Sequence, residues 1–195
     1  MINSRQLIED WSRATKEEWL QRFSKQIGMT EQSLMALNCC WASPHSAWAF
    51  PMRDSNFKMV GIRLRSESGA KWSVRGSHQG IFTPPRIDAK EILVLEGATD
   101  TAAALTLGYV GVGRPSCSGG ILEIKTLVTR LGIRRVVIVC DNDKPGIDGA
   151  IGLQRHLTVP SCLVTLPCKD LRAYLSLGGT KALLDSMINS CVWTK

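Results

Sequence analysis

No run of this chain approaches the roughly 18 apolar residues that a membrane-spanning helix needs. The amino terminus, MINSRQLIEDWSR, is polar and acid-containing, unlike a secretory signal. A cytoplasmic setting is expected from these two absences. No C-x-x-C occurs among the seven cysteines, and the Cys39-Cys40-x₄-His45 grouping lacks zinc spacing, so free thiols are expected rather than a zinc site or a disulfide scaffold. Histidine is scarce: His45, His78 and His156 sit in unrelated contexts and support no Ser-His-Asp triad. There is no G-x-x-x-x-G-K-[ST]; the glycine-rich GRPSCSGG has no lysine and reads as a plain loop.

What is present is a 195-residue chain, 44% apolar, enough for one large or two small domains with a buried core. Its formal charge is +7, which suggests an anionic partner. The distribution says more. Arg53, Lys58, Arg63, Arg65, Lys71 and Arg75 fall within one short segment against only Asp54 and Glu67.

Residues 1–38 read as helical from the recurrence of Leu7, Trp11, Trp19, Leu20, Phe23 and Ile27, with Thr30 opening a second helix. From Trp48 to Phe82 the texture is short β segments. Alternation over Ile62-Arg63-Leu64-Arg65 puts both arginines on one strand face, and Lys71 and Ser73 share a face of the next strand. Pro84-Pro85 marks a boundary, giving a basic α+β part (1–86) and a second part (87–195). In the second part strands over 92–95, 109–112, 136–140 and 161–166 alternate with helices over 100–107, 121–131, 147–157, 170–177 and 181–190. That order predicts an α/β fold, a parallel sheet with helices on both faces.

The acids of this part fall where such sheets bind ligands, at the carboxyl ends of strands. Glu96 follows ILVL, Asp141 follows VVIVC, Asp170 follows LVTLPCK by a few residues, and Asp100 lies one helical turn beyond Glu96. Asp143 either N-caps the next helix, with Pro145 in its first turn, or shares a site with Asp141; Asp100 either N-caps the Ala102–Leu107 helix or joins the same site. Converging carboxylates repel by about 4 kcal/mol per close pair at an effective dielectric near 20. Hard divalent cations, Mg²⁺ or Mn²⁺, answer that repulsion. A haloacid-dehalogenase phosphatase also ends a strand on D-x-D, but its motif lies early and continues with a hydroxyl residue, whereas Lys144-Pro145 follow here.

With Glu96-Gly97-x-x-Asp100, Asp141-x-Asp143 and Asp170 in this order, the second part resembles the Toprim domain of primases, topoisomerases, some nucleases and recombination mediators. The segment AFPMRDSNFKMVGIRLRSESGAKWSVRGSHQGIF is similar to the basic subdomain that precedes Toprim in bacterial-type DNA primases, nearest to those of phages, mobile elements and primase–helicases. The resemblance covers roughly residues 33–178. Here Asp141-Asn142-Asp143 replaces the family's Asp-Gly-Asp, and Asp170 stands alone where the family has a group of acids.

The resemblance implies a Toprim catalytic domain behind a small basic subdomain, and template-directed synthesis of RNA primers from nucleoside triphosphates on single-stranded DNA. It implies Glu96, Asp141 and Asp143 as catalytic and metal-holding residues, with Asp100 and Asp170 as further metal ligands. Glu96 serves as ligand or as proton acceptor for the attacking hydroxyl. Arg63, Arg65, Lys71, Arg75 and Lys144 would bind nucleotide or template, and Trp72 either stacks on a base or packs. A zinc ribbon or helicase module, in a longer chain or a separate protein, is the expected partner. Two rival functions use the same residues: a metal-dependent nuclease with water as nucleophile, and a non-catalytic nucleic-acid-binding protein of recombination or repair. A topoisomerase is disfavoured because only Tyr109 and Tyr174 could be nucleophiles, and both read as structural.

Overall fold

The structure, a computed structural model, describes residues 2–194. Three helices open the chain, α1 (Ser4–Ala14), α2 (Glu17–Ile27) and α3 (Glu31–Ala36). Each follows from local chemistry. Asn3 caps α1 by accepting from Gln6 N–H, and Thr30 caps α3 by accepting from Ser33 N–H. Helix α2 buries Leu20, Phe23 and Ile27 on one stripe and stops at Gly28 in the left-handed region, φ 72°.

An antiparallel sheet follows, β1 (Cys40–Ala42), β2 (Ala47–Arg53), β3 (Met59–Arg65) and β4 (Lys71–Ser73), in spatial order β1-β2-β3-β4. Period-two alternation divides its residues between two cores. Ala47, Ala49, Ile62 and Leu64 pack against Ile8 and Trp11 of α1. Trp48, Phe50 and Met52 point the other way, into the core shared with the second part.

That part comprises β5 (Glu91–Glu96), α4 (Ala98–Thr106), β6 (Gly111–Arg114), α5 (Ile121–Leu131), β7 (Arg135–Cys140), α6 (Lys144–Gln154), β8 (Ser161–Thr165), α7 (Leu171–Ser176) and α8 (Lys181–Ser190). The four strands are parallel in order β6-β5-β7-β8. Ile92, Val94, Val136 and Ile138 pack with residues of α5 and α6, while Leu93, Leu95, Val137 and Val139 pack with residues of α4, α7, α8 and the amino-terminal helices. Helices therefore cover both faces, as the strand–helix alternation predicts. Among the described residues no helix is long and apolar enough to cross a membrane.

Ile81 and Phe82 stitch the sheets together. Ile81 exchanges two 2.8 Å backbone bonds with Arg53, and Phe82 exchanges two more with Gly113 at the end of the parallel sheet. Together with the shared core, this pair joins the basic sheet to one end of the parallel one.

Three elements start elsewhere than the sequence pattern suggests; one is α6, which opens at Lys144 rather than 147 because Asp143 caps it. Helix α4 begins at Ala98 with Gly97 (φ 83°) in the cap position, so Asp100 lies in the first turn and caps nothing of its own helix. Strand β6 runs two residues later than expected because Tyr109 closes the preceding helix end, donating its N–H to Ala104. The strand's glycines let it pass close to α4: a Cβ on Gly113 would lie 2.0 Å from the Thr101 hydroxyl.

Candidate active site

The chain enters the parallel sheet at β5, steps to one side for β6, then crosses back to β7 on the other side of β5. The order reverses between β5 and β7, the position where open α/β sheets hold ligands. Glu96 is the last residue of β5 and Asp141 is the first after β7. Both flank that crevice, and both are half-buried.

The other acids close around it. Burial, with Glu96, Asp170 and Asp143 as neighbouring negative charges, pushes the Asp141 carboxyl up to about 6. Asp100 is 5% exposed; burial and Asp170 raise it to about 7, against the opposing Arg172 N–H bond. Three of these carboxylates also hold backbone. Asp143 accepts from Gly146 N–H at 2.8 Å and caps α6, Asp170 accepts from Ala173 N–H at 2.6 Å and caps α7, and Asp100 accepts from Arg172 N–H at 2.9 Å. Each uses one oxygen, and among the described residues no hydrogen bond reaches the second. Capping and ligand binding are thus compatible at Asp143. Gly146 is required for this arrangement, since a Cβ there would sit 2.6 Å from the Asp141 carbonyl oxygen.

Among the described residues no three Asp, Glu, His or Cys side chains are gathered tightly enough to hold an ion unaided. The donor set nonetheless fits Mg²⁺ or Mn²⁺: it is all oxygen, mutually repelling and partly uncommitted. Mg²⁺ commonly takes one or two carboxylates, with water and substrate phosphate completing its shell, and needs no closed protein cage.

The basic strand face fronts this crevice. Arg63 stands opposite Phe50 and Ser73, and Arg65 opposite Trp48 and Lys71, so Arg63, Arg65 and Lys71 share one side of the sheet. A cleft of about 120 Å³ is lined by all three together with Phe50, Glu96 and Gly97. Arg63 also donates to the Pro115 carbonyl at 3.4 Å. Burial and the adjacent Arg172 hold the Arg65 guanidinium below its usual range, while Asp100 and Asp170 oppose that shift.

Other candidates stand apart. Arg75 is exposed in the turn after β4. Lys144 is exposed and paired with Asp148 at 2.9 Å. Trp72 is opposite Leu64, which places it on the sheet face away from Lys71 and the arginines. A separate concavity of about 1020 Å³ lies between α1, β3 and the 54–58 turn and touches none of the strand-end acids.

Sequence reasoning missed Arg114. It ends β6 in register with Glu96, is 2% exposed, and donates to the Cys117 and Gly149 carbonyls at 2.6 and 3.0 Å. Glu96 and Asp141 are among the negative charges it feels. Its only sequence signal is an arginine in the GRPSCSGG segment, which lacks the lysine of a phosphate-binding loop and so reads as a plain loop.

No known family model matches the sequence, and no curated protein is similar to it in sequence. Solved structures are similar in fold. A DnaG primase catalytic domain bound to single-stranded DNA matches 97% of this chain and 79% of its own length, with TM-score 0.76 and 13% identity. The Aquifex aeolicus primase, zinc-binding and RNA polymerase domains together, matches 98% of this chain and 60% of its own length, with TM-score 0.78 and 14% identity. The primase fragment of the bacteriophage T7 primase–helicase matches 84% and 72%, with TM-score 0.62 and 18% identity. Acids at a strand-order reversal, faced by a basic antiparallel sheet, are thus carried here on the fold of DnaG-type DNA primase catalytic cores.

Proposed function

We propose that this chain is the catalytic part of a DNA primase, joining nucleoside triphosphates into short RNA primers on single-stranded DNA. The observation that carries the reading is the opposition of two charged surfaces across one cleft. Glu96 lines one cleft with Arg63, Arg65 and Lys71 of the antiparallel sheet, and Asp141 follows the end of the neighbouring strand β7. Primer synthesis needs both: carboxylates where the bond forms, and cations to hold triphosphate and template.

Glu96 and Asp141 would hold Mg²⁺ or Mn²⁺, with the free oxygens of Asp143 and Asp170 beside them and Asp100 behind. The bound ion lowers the pKa of an attacking hydroxyl and neutralises charge on departing pyrophosphate. Alternatively, Glu96 would accept the proton of the attacking 3′-hydroxyl. Arg63, Arg65 and Lys71 orient the triphosphate or the nearest template phosphate, and Arg75 and Lys144 meet the template farther out. Residues 1–86 then serve as the nucleic-acid-binding part and residues 87–195 as the catalytic part. Choosing a start site would fall to a zinc-ribbon or helicase module, because the seven cysteines here are all free and form no ligand set among the described residues.

The test is incubation of the purified chain with labelled ribonucleotides, Mg²⁺ or Mn²⁺, and single-stranded DNA, either bare or carrying a short primer. Template-dependent incorporation is expected, faster on primed than on bare template because initiation must order two free nucleotides at once. Shortening of the template without incorporation would instead identify a nuclease. Binding of DNA with neither reaction would identify a non-catalytic nucleic-acid-binding protein.

A further inference from the structure

A second cleft, of about 570 Å³, opens beside the basic strand face and is lined by Trp19, Trp41, Trp48, Arg22, Ser66 and Glu67. Half of the chain's six tryptophans meet there. Trp41 stands edge-on to both Trp19 and Trp48, with centroids 6.4 and 5.4 Å apart, while Phe23 stacks under Trp48 at 4.3 Å. Trp19 and Trp41 keep part of their surface open to solvent. Trp48 is buried, and its indole N–H has no hydrogen-bond partner. A buried indole normally finds an acceptor, so this wall is chemically incomplete.

Its position ties it to the acid cleft. Trp48 and Arg65 are directly opposed across β2 and β3; Arg65 lines the acid-side cleft and the next residue, Ser66, lines the tryptophan cleft. Trp48 and Phe50 lie on the same face of β2, one in each cleft and about 7 Å apart along the strand. One extended nucleotide bridges that distance. Arg22 on the rim supplies a cation for phosphate, and Lys16 adds another over the Trp19 ring, 5.4 Å from its centroid. Glu67, the one acid on the rim, can accept from the amino group of a base.

We propose that the Trp19–Trp41–Trp48 cleft seats a base of the single-stranded DNA, stacked on tryptophan, one nucleotide step from the Arg65 gateway to the acids. This deepens the primase reading and rests on it. Flat indole faces beside cations suit bases of any identity, because every base has a π-face. The cleft then sets the register of the strand without selecting its sequence.

The experiment measures the affinity of the full chain for a fluorescein-labelled oligonucleotide of about 12 nucleotides, in metal-free buffer so that binding is separated from chemistry. Trp41→Ala should weaken binding by roughly 5- to 150-fold, the equivalent of one lost stack, and Trp41→Phe should retain most of it. Ser68→Trp, an exposed-turn change that fills the cleft mouth without touching the core, should weaken binding comparably, which covers the case in which Trp41→Ala does not fold. Trp72→Ala, on the opposite face, should bind as wild type. If wild type binds and incorporates nucleotides while Trp41→Ala and Ser68→Trp bind unchanged, the cleft proposal is overturned and the primase reading stands. If wild type does not bind single-stranded DNA, both are overturned together.

Discussion

Glu96 and Arg114 occupy matched positions at the ends of neighbouring parallel strands, an acid on β5 beside an arginine on β6. Arg114 is one of the largest side chains buried in the molecule, yet it sits next to the crevice rather than in a hydrophobic core. Its guanidinium ties the loop after β6 to α6 through the Cys117 and Gly149 carbonyls. The loop and helix meet so closely there that a Cβ on Gly149 would lie 2.1 Å from the Cys117 oxygen. One side chain therefore supplies both a positive charge beside the acids and the clamp that fixes the crevice wall.

Removing that clamp should be costly. Arg114→Met leaves two carbonyls without a charged donor and should destabilise the fold by about 2–4 kcal/mol, read from urea unfolding midpoints. Arg114→Lys keeps the charge but not the planar guanidinium whose Nη1 meets both carbonyls, and should recover only part of the loss. Wild-type stability for Arg114→Met would show that the clamp is dispensable.

Variants at Asp141 and Asp143 test the proposed chemistry and the helix cap apart. Asp141→Asn removes one member of a repelling group and no hydrogen bond among the described residues, so metal-free stability should equal or exceed wild type while metal-dependent incorporation disappears. Asp143→Ala loses the α6 cap and should cost about 1 kcal/mol. Asp143→Asn keeps the cap and should be near neutral in stability but inactive. Full activity in Asp141→Asn would remove this residue from the site.

The crevice acids also predict a pH signature. Asp100 titrates at about 7 and Asp141 at about 6 in the folded chain, against about 4 for an unfolded aspartate. Between about pH 4 and about pH 7 the folded state therefore binds more protons than the unfolded state. Metal-free stability should fall as pH rises through that window. Asp100→Asn, which preserves the bond to Arg172 N–H, should flatten the decline. Added Mg²⁺ should restore stability near neutral pH. Urea midpoints in EDTA that rise with pH across this range would contradict the assignment.

The basic face should report itself through salt. If Arg63, Arg65 and Lys71 contact phosphates, replacing all three with alanine should lower the slope of log affinity against log salt by about 2, or about 0.7 per contact on single-stranded DNA. Arg75→Ala, outside the cleft, should change it by no more than one contact. An unchanged slope in the triple variant would show that the face serves the folded core alone.

Much of this architecture was legible in the linear chain. Helices α5 and α8 begin and end where their apolar spacing and bounding residues say, and the strands before Glu96 and Asp141 are continuous apolar runs. The alternation of β3 correctly put Arg63 and Arg65 on one face. These are local consequences of backbone period and capping chemistry, which neighbouring residues decide among themselves. Even the start of α4 was a local matter, decided by Gly97 in a conformation that the eye passes over in favour of Asp100.

Long-range pairing decided the rest. Alternation separates the two faces of β3 but does not say which one meets the acids; the Ile81–Phe82 bridges and the shared core turned the arginines toward Glu96. It likewise drew Trp19, Trp41 and Trp48 together from three elements. The strand order β6-β5-β7-β8, which makes a crevice between Glu96 and Asp141 and buries Arg114 beside it, is a choice of neighbours among strands distant in sequence. Period and propensity carry information over a few residues. Partner choice is settled by how whole faces pack, and that energy exists only once the chain has folded.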